Sequence, residues 1–103
     1  MTDYLTVAEV LAIHADQIER YGGSHGVRDQ GLLEAALFRP QTGYYAGVIE
    51  ESAALWESLA RNRAFVDGNK RVAFVAMYTF LAINGVRLTA TAQKTYHFID
   101  TLY

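Results

Sequence analysis

The chain has 103 residues, 51% hydrophobic and 19% charged, the balance of one globular domain and not of a disordered chain. A formal net charge of -2 disfavours non-specific binding to nucleic acid, and the absence of cysteine excludes disulfides, thiolate metal sites and a thiol nucleophile. The N-terminus "MTDYLTVAEV" lacks the basic-then-apolar pattern of a signal peptide, and the longest apolar run, Val72 to Ile83, is too short to cross a bilayer, so a soluble, cytoplasmic protein is expected.

Helical patterns dominate, and the expected fold class is all-α with one domain over residues 1–103. The first helix opens at "TVAE", where Thr6 and Glu9 have the spacing of a capping box. Val7, Val10, Leu11, Ile18 and Tyr21 follow helical spacing, and Gly22-Gly23 ends the run. His14 falls on the same stripe, so packing or a partner contact is its expected role. The polar stretch "GGSHGVR" leads to Asp29, a plausible N-cap for a second helix with Leu32, Leu33, Ala36 and Leu37; Pro40 closes it. His25 and Arg28 read as turn residues. The segment "PQTGYYAGV" reads as a loop or short hairpin. A third helix is predicted from about Glu50 to Asn62, with Ile49, Ala53, Trp56 and Ala60 on one stripe and Leu55 and Leu59 beside it.

The fourth helix is predicted from near Gly68 to Asn84-Gly85, a pair that tolerates the left-handed conformation. Apolar residues cover all its faces, so other helices should enclose it. A fifth helix is predicted from near Thr91, carrying Ala92, Tyr96, His97, Ile99 and Leu102. Its apolar stripe still runs at Tyr103, so a partner helix, self-association or a missing last helix is expected to cover it.

Between the third and fourth helices lies "RAFVDGNKR", residues 63–71. A helix N-terminus carries partial positive charge from N–H groups without intrahelical acceptors, so Lys70 and Arg71 are mildly disfavoured there. A docked anion turns that repulsion into attraction. Gly68 lets backbone approach it, Asn69 adds an amide donor, and Lys70 and Arg71 add charge and a planar fork. Asp67 can cap the helix or hold a divalent cation shared with phosphates. A polyphosphate with Mg²⁺ fits this set; solvated cations beside an ordinary cap fit it about equally well. Phe65 points inward and anchors the loop.

"FVDGNKR" resembles the signature loop of the Fic/Doc family, which usually reads H-x-F-x-[D/E]-G-N before a basic segment. "IHADQIERYGGSHGVRDQGLLEAALFRPQ", "LARN" and "FLAINGVRL" are similar to the same family's Doc branch, so the resemblance covers most of the chain. It implies a compact helical bundle around the fourth helix and transfer of part of ATP onto a protein hydroxyl, with Mg²⁺. Adenylyl-transferring members read G-N-G-R-x-x-R, whereas this chain has Lys70 and Phe74 where the second Gly and second Arg would stand. The Doc branch reads N-K-R, as here. That branch implies a kinase-type toxin of a type II toxin–antitoxin pair, acting on a Thr hydroxyl of elongation factor Tu. The implied partner is a Phd-like antitoxin, and Tyr44 and Tyr45 lie in the family's substrate flap, where an extended segment can add as a strand.

The family's motif opens with a His, the general base, and this chain has Arg63 there. A guanidinium stays protonated at physiological pH and cannot take the acceptor's proton, whereas an imidazole can. Loss of a positioned base typically costs about 10² to 10⁴ in rate. The sequence thus predicts a nucleotide site with impaired catalysis, or a non-catalytic binding homologue. The alternative is that Arg63 itself projects into the phosphate site and changes how nucleotide binds.

Overall fold

The capping box predicted for the first helix forms in both directions. In the computed structural model, which describes residues 1–87, Thr6 N–H donates to Glu9 Oε1 at 2.9 Å and Glu9 N–H donates to Thr6 Oγ1 at 3.2 Å. This starts α1, Val7–Tyr21. Val10, His14, Gln17 and Ile18 form its buried stripe, whereas Tyr21, predicted on that stripe, is 66% exposed. Asp29 caps α2, Gln30–Phe38, by accepting from Leu32 N–H at 3.0 Å. Pro40 then sits in a 3-10 turn, Arg39–Gln41, where its fixed φ is compatible. The next segment is an irregular loop rather than a hairpin, and it leads to α3, Val48–Asn62.

The buried face of α3 differs from the predicted stripe. Ile49 is 60% exposed and Ala53 is exposed, while Trp56 and Ala60 are half-buried. Glu51, Ser52, Ala54, Leu55, Ser58 and Leu59 face inward instead. Three of those are polar, and each has a partner: Tyr4 O–H donates to Glu51, Ser52 Oγ donates to Ile49 O at 2.7 Å, and Arg39 Nη1 donates to Ser58 Oγ at 2.9 Å. Satisfied polar groups can be buried at little cost, which is why hydrophobicity alone misplaced this face.

The last described helix, α4, runs Asn69–Ile83 and packs chiefly on α3 and also on α1; α2 lies against α3. Val72, Ala73, Ala76 and Phe80 of α4 join Val10, Leu33, Leu37, Leu55, Leu59 and Phe65 in the main core, while Phe74, Met77 and Leu81 form a smaller cluster. The central position predicted for α4 therefore holds, although Tyr78 and Ile83 are 36% and 44% exposed. At its C-terminal end only Gly85 takes positive φ, 81°; Asn84 has φ -102°. Asn84 instead uses its side chain, accepting from Asp3 N–H at 2.8 Å and donating to Asp3 O at 2.9 Å. Among the described residues there are helices and one isolated bridge but no strands, as the all-α reading expects, and no helix is long and apolar enough to cross a membrane. The predicted fifth helix, with His97, lies outside the described residues.

Candidate functional site at the N-terminus of the central helix

The loop between α3 and α4 is held by its own backbone. Asn69 closes it from inside: its Oδ1 accepts from Phe65 N–H at 3.0 Å and its Nδ2 donates to Phe65 O at 2.9 Å. The amide predicted to meet an anion thus gives its oxygen and one of its two N–H donors to the loop. From outside, residues 26–29 are sewn onto it. Arg28 N–H and Asp29 N–H donate to Ala64 O at 2.7 and 3.0 Å, and Val66 N–H donates to Gly26 O at 3.0 Å. Val27 and Phe65 form an antiparallel bridge. Arg28 also covers the C-terminal end of α3, donating from Nε to Arg63 O at 2.7 Å and from Nη2 to Asn62 O at 3.0 Å. A cation at a helix C-terminus is electrostatically favoured.

Arg63 itself ends α3 in the left-handed region, φ 53° and ψ 49°, and is the one non-glycine residue with positive φ among those described. A left-handed residue is a common way to end a helix, though glycine usually takes the position. Gly68, not Asp67, is the N-cap of α4, with φ 78° and no side chain to offer. The predicted capping role of Asp67 is therefore corrected. Its carboxylate instead accepts from Gly68 N–H through Oδ1 at 2.8 Å and from Ser24 N–H through Oδ2 at 3.1 Å. The Ser24 and Gly68 N–H groups, with the nearby Arg71 charge, hold its pKa below the ordinary aspartate value of 3.8. Asp67 is therefore a carboxylate at neutral pH.

Arg71 is docked on the end of α1. Its Nη2 donates to Gly22 O at 2.9 Å and its Nη1 to Gln17 O at 3.4 Å, carbonyls at the negative end of that helix's dipole. The guanidinium is thereby oriented. Space at Gly23 is correspondingly short: a Cβ there would lie 2.7 Å from Asp67 Oδ2 and 3.2 Å from Arg71 Nη2, with φ +119° besides.

Arg63, Asp67, Gly68, Asn69, Lys70 and Arg71 together line a cavity of about 310 Å³, with Ala60 and Val66. That volume is at the small end of ligand pockets. Three cations face one carboxylate there, and the N–H groups of the first turn of α4 lack intrahelical acceptors. The set suits a phosphate-bearing anion. Among the described residues no three His, Cys, Asp or Glu side chains converge on a metal site. Mg²⁺ commonly takes one or two carboxylates plus substrate phosphates and water, a role the chemistry of the Asp67 carboxylate fits.

Over most of this architecture the chain matches a family model described as Fic/DOC family, residues 4–81. The chain belongs to the Fic/DOC family. Two relatives bear Doc names. It is 50% identical over 95 residues to "Toxin Doc" of Mycolicibacterium smegmatis (strain ATCC 700084 / mc(2)155), covering 87% of this chain and 71% of that protein. It is 35% identical over 89 residues to "Protein kinase doc" of Escherichia phage P1, covering 82% of this chain and 71% of that protein. The match to "Toxin Doc" places this family member among Doc toxins.

The two tyrosines assigned to the flap lie in the loop before α3. Tyr44 is 85% exposed and meets Tyr45 edge-on, ring centroids 5.3 Å apart. Tyr45 is half-buried, its hydroxyl accepting from Arg39 Nε at 2.7 Å. They do not line the cavity. His25 is exposed in the turn before Val27. Sequence reasoning did not assign His14 to the loop. It is 4% exposed, its Nε2 lies 2.9 Å from Asp67 O, and its ring stacks on Phe65 with centroids 4.0 Å apart. The available signal was polarity on an apolar stripe: His14, Gln17 and Ile18 share one face of α1, and two of them are not apolar.

Proposed function

We propose that this chain is the toxin of a toxin–antitoxin pair, a kinase-type member whose phosphate site is assembled but whose proton acceptor is gone. The reading is supported chiefly by one observation: the signature loop folds so that Arg63, Asp67, Lys70 and Arg71 line one cavity at the N-terminus of α4. In this reading ATP is the donor, and a hydroxyl of a protein target, a Thr of elongation factor Tu, is the acceptor. Lys70, Arg71 and the first-turn N–H groups of α4 hold the phosphates, where charge stabilisation acts on the transferring group. Mg²⁺, held by Asp67 and the phosphates, would supply further neutralisation of phosphate charge. Arg63 occupies the base position and, being a permanent cation, leaves the hydroxyl proton without an acceptor. The names of both relatives support the toxin and kinase parts of this proposal. A Phd-like antitoxin is the proposed partner, and the cytoplasm, where translation factors reside, is the proposed compartment.

Adenylyl transfer is less well supported. The position of the second motif Arg carries Phe74, which is 4% exposed and packed with Met77, Leu81 and Trp56. An apolar cluster is no place for a phosphate-binding cation.

The test is Arg63→His, produced alongside the unaltered chain and incubated with purified elongation factor Tu, Mg²⁺ and ATP labelled at either end. Restoring an imidazole base is expected to raise γ-phosphate transfer by about 10² to 10⁴ and to arrest growth on induction. Transfer of an α-label instead means adenylylation. A folded variant that transfers neither label means a non-catalytic binding module, and the proposal is then wrong.

A further inference from the structure

We infer that His14 is a positioning residue for Asp67, acting through the peptide plane that joins Asp67 to Gly68. The inference deepens the proposed function in that it names what aims the carboxylate of that site. The Asp67 carbonyl can only accept, so the Nε2 of His14, 2.9 Å away, carries the hydrogen of their bond. The imidazole cannot drift, because it is 4% exposed and stacked on Phe65 with only 8° between the rings. The peptide between Asp67 and Gly68 is planar and trans. In a trans peptide the C=O and N–H point in opposite directions. Drawing the Asp67 carbonyl towards His14 therefore turns the Gly68 N–H away from His14, and there it donates to Asp67 Oδ1 at 2.8 Å. Gly68 accommodates the plane with φ 78°, a value most residues resist. One imidazole N–H thus sets the backbone donor that sets the carboxylate.

The neighbouring face of α1 serves the same loop. Gln17 O holds Arg71, and Ile18 Cδ1 would lie 3.2 Å from a Cβ at Gly68. His14, Gln17 and Ile18 are one helical turn, so α1 presents a single ridge to the loop. Among these three only His14 donates a side-chain hydrogen bond to the loop backbone.

The test compares His14→Phe, which keeps a ring on Phe65 but has no donor, with His14→Gln, whose amide nitrogen can replace Nε2. Amide proton exchange of Gly68 is measured by NMR in the full chain, with Leu55 as a distant core reference. Gly68 exchange is expected to quicken about fivefold in His14→Phe, the equivalent of one hydrogen bond, and to stay near the original rate in His14→Gln. Titration of ATP with and without Mg²⁺ adds the functional readout: the gain in affinity from Mg²⁺ should vanish in His14→Phe and persist in His14→Gln. An unchanged Gly68 rate in His14→Phe overturns the inference. So does equal quickening of Gly68 and Leu55 in both variants, which marks a packing role only. If the unaltered chain binds no ATP the proposed function falls, and the exchange rates still decide the case of His14.

Discussion

The loop of residues 63–69 and the loop of residues 42–47 each join one helix to another and each carries predicted site residues, yet they are secured in different ways. The first is bonded to chain remote in sequence: residues 24–29 on one side and His14 on the other. The second is held mostly by near neighbours, Thr42 on Arg39 O and Ala46 N–H on Glu50 Oε2 at 3.1 Å. Its link to the rest of the fold is Arg39, which reaches Tyr45, Glu57 and Ser58. Long-range bonds fix a site before a ligand arrives, which suits charge stabilisation. Local bonds leave a surface that can adapt to an extended partner.

This contrast can be broken or sharpened by substitution. Phe65→Ala should have the largest effect on stability. Phe65 is 1% exposed and carries both the main core and the His14 stack, so a loss of about 3–5 kcal/mol in urea unfolding is expected. Asn69→Ala should follow. It leaves the N–H and C=O of buried Phe65 without the Asn69 amide, at about 1–3 kcal/mol, seen in the same measurement. A cost near zero would mean that the loop is not held from inside.

Acid should separate the loops next. Asp67 has a depressed pKa in the fold, so between that value and the ordinary 3.8 the unfolded chain binds more protons. Its contribution to stability is complete above the ordinary range and is lost as pH falls through the folded value. Asp67→Asn should flatten the acid limb of stability against pH, and thermal unfolding across that range checks it. Tyr44→Ala should do least. An 85% exposed ring in a locally held loop is expected to change stability by no more than about 0.5 kcal/mol, while weakening any partner that pairs with the loop.

Much of the fold could be read from short-range chemistry. The capping box at Thr6, the Asp29 cap, the stop at Gly22 and the glycine after Asn84 all act within one helical turn. The buried face of α3 could not be read that way, because Glu51 and Ser58 turn inward only when Tyr4 and Arg39 arrive to bond them. At the site, the residue types were legible and their partners were not. Asn69 and Arg71 were both expected to face an anion. The structure closes the loop with the first, whereas the second lines the cavity while docked on the end of α1.

The helical class, the caps at Thr6 and Asp29 and a charged loop ahead of an apolar helix were all readable in the sequence alone. These follow from propensity, capping and periodicity, which neighbours along the chain supply. Only the tertiary structure decided which of those charges line the cavity, that Gly68 rather than Asp67 caps α4, and that His14 stands behind the loop. Those depend on groups up to 54 residues apart in the chain, and a one-dimensional pattern has no term for which distant carbonyl a side chain will meet.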